Sequence, residues 1–266
     1  METESNMTAG MISPADSVKS EPESEPRLPT PGKGVAWFTL FALVYLISAV
    51  MYFFGVGFYA AASQPELSPA QIQTFVTSHA ESLQGLSGMY IVQFVCLVPM
   101  VLLASRFKSQ GWRQTLALHS VMPKQLLFWL GIWGSYQAVA ITLHYFVDVD
   151  RGAFLQQMSG SGSLLITAVV VLLAPILEEI IFRGYLFKAW RHSAIGLTGT
   201  LFVTSALFVS LHLGQYGWIL LTQLFVFAII LGLAREKTGS LVTPWVLHLA
   251  NNLFASLMIT YIGVEL

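Results

Sequence analysis

Polar and apolar positions along the chain are segregated into blocks. Apolar residues dominate 34–62, 88–105, 125–147, 163–190, 197–214, 217–234 and 240–262, with polar connectors between them. Each block is long enough to cross about 30 Å of hydrocarbon as a helix, a form that satisfies its own backbone there. The pattern predicts an all-α polytopic membrane protein, a bundle of about seven transmembrane helices. The fifth and sixth blocks are parted only by Gly214-Gln215-Tyr216-Gly217, so six and eight spans stand as alternatives.

The first block, Gly34 to Ala62, ends in the cleavage-site-like string Tyr59-Ala60-Ala61-Ala62. It exceeds the roughly 7–15 apolar residues of a signal peptide and its lead-in is acidic, so it reads as a span. Residues 1–33 show no apolar period and hold five of the eleven prolines and nine of the charges. They read as a disordered cytoplasmic tail, ahead of a transmembrane helical domain over 34–266.

Basic residues set the orientation. Lys19, Arg27 and Lys33 in the tail, Arg106, Lys108, Arg113 and Lys124 in the second connector, Lys188 and Arg191 at the fourth, and Arg235 and Lys237 at the sixth all fall on one side. The opposite connectors offer Arg151 alone. The reading is a multi-pass protein of the plasma (inner) membrane, amino terminus in the cytoplasm and carboxyl terminus outside. The stretch Phe107 to Lys124, with Trp112, Leu116 and Leu118 among basic residues, is expected to lie along the cytoplasmic interface.

Composition sharpens this. Of 266 residues, 55% are hydrophobic and 10% charged, against roughly 25% charged in a soluble domain. A net charge of -1 supplies no basic surface for nucleic acid. The lone Cys96 excludes an intrachain disulfide or a multi-thiolate metal site, and as a neutral thiol in an apolar span it is inert.

Against that background, the ionisable residues inside spans each call for an explanation, because burying one costs at least about 2.5–3.5 kcal/mol. The fourth span carries Glu178, Glu179 and Arg183. Glu179 and Arg183 share a face one turn apart and can pair, while Glu178 points about 100° away and is left over. A kink is expected at Pro175. The fifth span carries Phe208 and His212 one turn apart, and the seventh carries His248 and Asn252 on one face with Trp245. Singly, these side chains read as a packing ion pair and satisfied core histidines. Together, a carboxylate, two imidazoles and a carboxamide can hold and deprotonate a water and stabilise an oxyanion. At 1.5 Å per residue Glu178 lies roughly 18 Å, His248 roughly 12 Å and His212 roughly 18–21 Å from the cytoplasmic ends of their helices, so they can converge. Gln93, Gln137, His144, Thr204, Ser205 and Gln223 are expected to make interhelical hydrogen bonds, and Asn251 to pack.

These strings resemble the signature of the CAAX protease and bacteriocin-processing family (CPBP, or Abi), in particular its type II CAAX prenyl protease-like members. Glu-Glu-x-x-x-Arg matches at Glu178, Glu179 and Arg183, Phe-x-x-x-His at Phe208 and His212, and His-x-x-x-Asn at His248 and Asn252, all in family order. The resemblance covers about 165–255, which makes 163–262 the catalytic core. It implies an intramembrane endopeptidase in which Glu178 activates water with help from His212, and His248 and Asn252 stabilise the oxyanion. Glu179, Arg183 and Phe208 would orient the site. The implied partners are the bilayer and a membrane-associated or lipidated protein or peptide; bacterial relatives are also linked with self-immunity.

Family members are often called intramembrane metalloproteases, and zinc at Glu178, His212 and His248 is the one cofactor the resemblance leaves open. No His-Glu-x-x-His helix is present and no outer carboxylate is evident to orient either histidine, so the reading leans to a glutamate-activated water without metal. A proton- or ion-coupled transporter, and a non-catalytic membrane immunity or chaperone protein, are the competing classes.

Overall fold

The computed structural model describes residues 30–106 and 111–262, with side chains as far as Ile259. The predicted tail therefore lies outside the described residues except at its end. There the first helix starts ahead of the predicted boundary: α1 spans Pro31–Ser63, with Thr30 capping the Lys33 amide and Pro31 in the opening turn. Proline suits that position because the amide it lacks would have no helical partner.

After α1 come α2 (Pro69–Ala80), α3 (Leu83–Ala104), the single turn α4 (Trp112–Thr115), α5 (Pro123–Phe146) and α6 (Gly152–Met158). Then follow α7 (Leu164–Trp190), α8 (Gly196–Ser210), α9 (Trp218–Thr238) and α10 (Val242–Ser256). Every predicted apolar block is helical, but among the described residues six helices, not seven, are long and apolar enough to cross a membrane. The exception is α8, whose 15 residues make about 22 Å. Its apolar run continues through Leu211 and Leu213 while the backbone leaves the helix: bonds tighten to Leu211–Phe208 and His212–Val209, and Gly214 turns the chain at a φ of 80°. Hydropathy is blind to that ending.

α7 is the hub. Of its most apolar stretch 44% is buried, against 11% for α1 and 6% for α5, and α1, α3, α8, α9 and α10 all pack against it. Phe182, Tyr185 and Leu186 of α7 meet Phe41 of α1, Leu97 of α3 and Phe208 of α8 in one core cluster. Residues 107–110 of the segment expected at the interface lie outside the described residues; from Gly111 on it packs on that core through Trp112, Leu116 and Leu118. Leu116 is fully buried, and a Cβ on Gly184 would come within 2.7 Å of it. The chain is held there by Leu241 N–H donating to Ala117 O at 3.0 Å and Ser240 Oγ donating to His119 O at 2.6 Å.

Candidate active site

The site begins with an irregularity in α7. Wide i→i+5 turns run over Val169–Leu173 and Ile180–Leu186, on either side of α-helical Ala174–Glu179. Such turns recur at functional sites. In the first, Ala174 N–H bonds to Val169 O, and Pro175 has no N–H for Val170 O, the next carbonyl in that series. Asn252 of α10 fills the gap, its Nδ2 donating to Val170 O at 2.9 Å. The second wide turn closes with Phe187 N–H on Phe182 O. Returning from there to α-helical spacing frees the carbonyl of Arg183, which accepts from Arg235 Nε of α9 at 3.1 Å. Each wide turn thus leaves one carbonyl to a side chain from a neighbouring helix, as a dry environment requires.

Glu179 and Arg183 pair as their spacing predicts, Arg183 Nη1 to Glu179 Oε1 at 2.9 Å, both 1% exposed. Arg183 also donates from Nη2 to Ala228 O at 3.1 Å and lies over the Phe208 ring, 4.7 Å from its centroid. A third partner was not legible in the sequence. His248 Nδ1 lies 2.8 Å from the same Glu179 Oε1. A carboxylate orients this histidine after all, contrary to the expectation that neither had one. A carboxylate accepts, so Nδ1 carries a hydrogen.

The remaining nitrogen of His248, Nε2, lies 3.5 Å from Glu178 Oε2. Glu178 is therefore not wholly alone. Glu178 Oε2 accepts from Nε2 whenever that nitrogen carries a hydrogen. Glu178 is the more open of the adjacent carboxylates, 20% exposed against 1% for Glu179.

His212 lies two residues beyond the end of α8 rather than within a span. The short helix is the reason the loop 211–217 comes near the site. His212 Nδ1 donates to Phe208 O at 3.0 Å, which leaves Nε2 to accept. Its ring lies 5.1 Å from Phe208 and stacks on Tyr216 at 5.6 Å, while Phe208 lies 5.7 Å from His248. Non-helical backbone at this depth is tolerated where it lines a cavity. It does so here. A cavity of about 210 Å³ is lined by Glu178, His212, His248, Asn252 and Phe208, and by Tyr90 and Tyr216. Burial, reinforced by the charge on Glu178, pushes the Tyr216 phenol well above its ordinary range, so at neutral pH it is a hydroxyl donor. Tyr216 escaped the sequence reading because a lone tyrosine between two glycines has no spacing to flag it.

Of the other intramembrane polar residues, Gln93 reaches Tyr45 O and His144 pairs with Gln223 across helices, at 3.3 and 3.0 Å. Thr204 instead bonds within its own helix. Asn251 accepts from Trp133 Nε1 and donates to Asn252 Oδ1, both at 3.4 Å. Zinc would need Glu178, His212 and His248 in one ligand set. Among the described residues no group of three His, Cys, Asp or Glu side chains is gathered to hold a metal.

Residues 160–254 match the family model described as type II CAAX prenyl endopeptidase Rce1-like. An uncharacterized 24.3 kDa protein of Escherichia coli is 33% identical over 88 residues, which make up 32% of this chain. The chain spans 40% of that relative's length. No solved structure matches the chain.

Proposed function

We propose, from the premise that residues 160–254 belong to the Rce1-like family of type II CAAX prenyl endopeptidases, that the chain is an intramembrane endopeptidase in which Glu178 activates the attacking water. The observation that carries this reading is the contrast between adjacent carboxylates. Glu178 lines the cavity with His212, His248 and Asn252, while Glu179 is sealed and engaged by Arg183.

In this mechanism a water bound between Glu178 and His212 Nε2 attacks the scissile carbonyl carbon, and its proton passes to the Glu178 carboxylate. The oxyanion accepts a hydrogen bond from protonated Nε2 of His248, whose imidazolium is stabilised by Glu179 through Nδ1. Asn252 spends one amide hydrogen on Val170 O and has a second for the oxyanion. As the tetrahedral intermediate collapses, the C–N bond breaks and Glu178 returns the proton to the leaving amine. No step is routed through a metal. The same reading puts the protein in the plasma (inner) membrane with its amino terminus in the cytoplasm and its carboxyl terminus outside. Its substrate is a membrane-associated or lipidated peptide.

The test compares peptides released from host membranes by the purified protein and by Glu178→Gln in lipid nanodiscs. Loss of a general base costs about 10²–10⁴-fold, so Glu178-dependent products should vanish while the variant stays folded. Cleavage persisting at the wild-type rate sinks the reading. Proton or ion flux that depends on Glu178, with no cleavage by the wild type, would replace it with a transporter. Exhaustive chelation, checked by metal analysis, is expected to leave cleavage intact; loss restored specifically by zinc would put a metal in the site.

A further inference from the structure

The cavity is one-sided. Its lining comes from the first half of α7 (Val169 to Glu178), the second half of α5 (Tyr136 to His144), the start of α9 (Leu220 to Phe227) and the later part of α10 (His248 to Ser256). Tyr90 of α3, Phe208 of α8 and residues of the adjoining segments, among them Arg151, Phe154, His212, Gln215 and Tyr216, also line it. Among the described residues, none of the lining comes from 91–135, 179–207 or 228–247. All of it belongs to the end of the bundle that carries the connectors 64–82, 147–163 and 211–217.

The opposite end is closed. Leu116 and Leu241, both at most 1% exposed, pack with Phe182, Tyr185 and Leu186 of α7 in the core cluster. The backbone around them is tied by the Leu241–Ala117 and Ser240–His119 bonds. A peptide approaching from that end would have to unpack this layer.

Charge distinguishes the ends. The connectors and adjoining helix ends on the closed side carry Arg106, Arg113, Lys124, Lys188, Arg191, Arg235 and Lys237 against Glu236, whereas the connectors at the open end carry Glu66, Glu81, Asp148 and Asp150 against Arg151. Basic connectors stay in the cytoplasm. We infer that the candidate site is open to the non-cytoplasmic face, and that its substrate class is a peptide segment presented on that face, such as an exported peptide or the outward-facing end of a membrane segment, rather than a cytoplasmic carboxyl-terminal tail. This rests on the peptidase reading for its chemistry and on the cavity for its direction.

The open half also holds polar groups suited to such a segment. His144 Nε2 and Gln223 Oε1 pair at 3.0 Å, while His144 Nδ1 and Gln223 Nε2 are buried without a partner, and both residues line the cavity. An extended peptide offers carbonyls and amides to groups of this kind. Glu178 lies 14 residues past Leu164, about 21 Å along α7 from the open end, and a peptide reaching it must pass through this half.

The test separates direction from chemistry. In a Cys96→Ser background, Gln215→Cys at the cavity and Arg113→Cys at the closed end are treated with a membrane-impermeant maleimide in intact cells. Gln215→Cys should label at once and Arg113→Cys only after permeabilisation. Peptides that depend on Glu178 should then appear outside the cytoplasmic membrane, and Gln223→Leu should lower their yield by raising KM more than it lowers kcat. Labelling of Gln215→Cys only after permeabilisation, or Glu178-dependent products confined to the cytoplasm, overturns the inference and leaves the peptidase reading standing. Labelling from outside with no Glu178-dependent product in either compartment sinks the peptidase reading and, with it, the substrate class, the direction of opening having been correct.

Discussion

One wall of α7 faces the cavity and the other faces the core, and consecutive glutamates divide between them. On the core side Glu179 is enclosed by Arg183 and His248, all three at most 3% exposed. On the cavity side Glu178 meets one imidazole nitrogen and open space. The residues share chemistry and almost share position. What separates them is about 100° of helical phase, which turns one carboxylate into internal scaffolding and leaves the other able to exchange a proton.

The strongest way to break this contrast is to unbalance the core wall. Arg183→Met leaves Glu179 buried without its cation, a change that typically costs about 3–5 kcal/mol. The unfolding midpoint in detergent should fall sharply, and a wild-type midpoint would show that this wall does not hold the fold. Glu178→Gln, which abolishes activity on the same reading, should leave that midpoint in place. Asn252→Leu tests the link between the walls. It strands Val170 O, an expected loss of about 1–3 kcal/mol, and removes an oxyanion donor, so stability and cleavage should fall together. Tyr216→Phe sharpens the cavity side most gently. Removing one neutral hydroxyl is worth about 0.5–1.5 kcal/mol, so a fall of up to about tenfold in kcat/KM is expected with stability unchanged.

Sequence reasoning reached the polar side chains because hydrocarbon makes them conspicuous. Glu178, Glu179 and Arg183 stand out within an apolar run, and the Glu179–Arg183 pair follows from a spacing of four. The bond from His248 to the same Glu179 oxygen depends on how α10 packs against α7, a relation between segments 69 positions apart. The early end of α8 was hidden for another reason. Leu211 and Leu213 extend its apolar run past Ser210, so a hydropathy profile continues where the helix stops. The seven apolar blocks were accordingly legible, while the departure that brings His212 and Tyr216 together was not.

The wide turns give α7 a property that no profile of hydropathy records. A wide turn adds one residue to the helical path, so the helix behaves like a vernier whose middle section is out of phase with its ends. Deleting one residue between 169 and 173 would permit a regular helix of nearly the same length and apolar character. Because the wide turn absorbs its extra residue locally, everything beyond the deletion would keep nearly its present direction relative to what precedes it. Regularising the turn with the residue retained would instead swing Glu178 about 100° away from the cavity. With one of residues 171–173 deleted, Pro175 would stand four places after Val170 and still offer no N–H, so Val170 O would keep its need of Asn252. A relative with a single gap in this segment is therefore expected to keep the common direction of the motif residues on a regular helix, whereas a chain of this length depends on the wide turn to keep it.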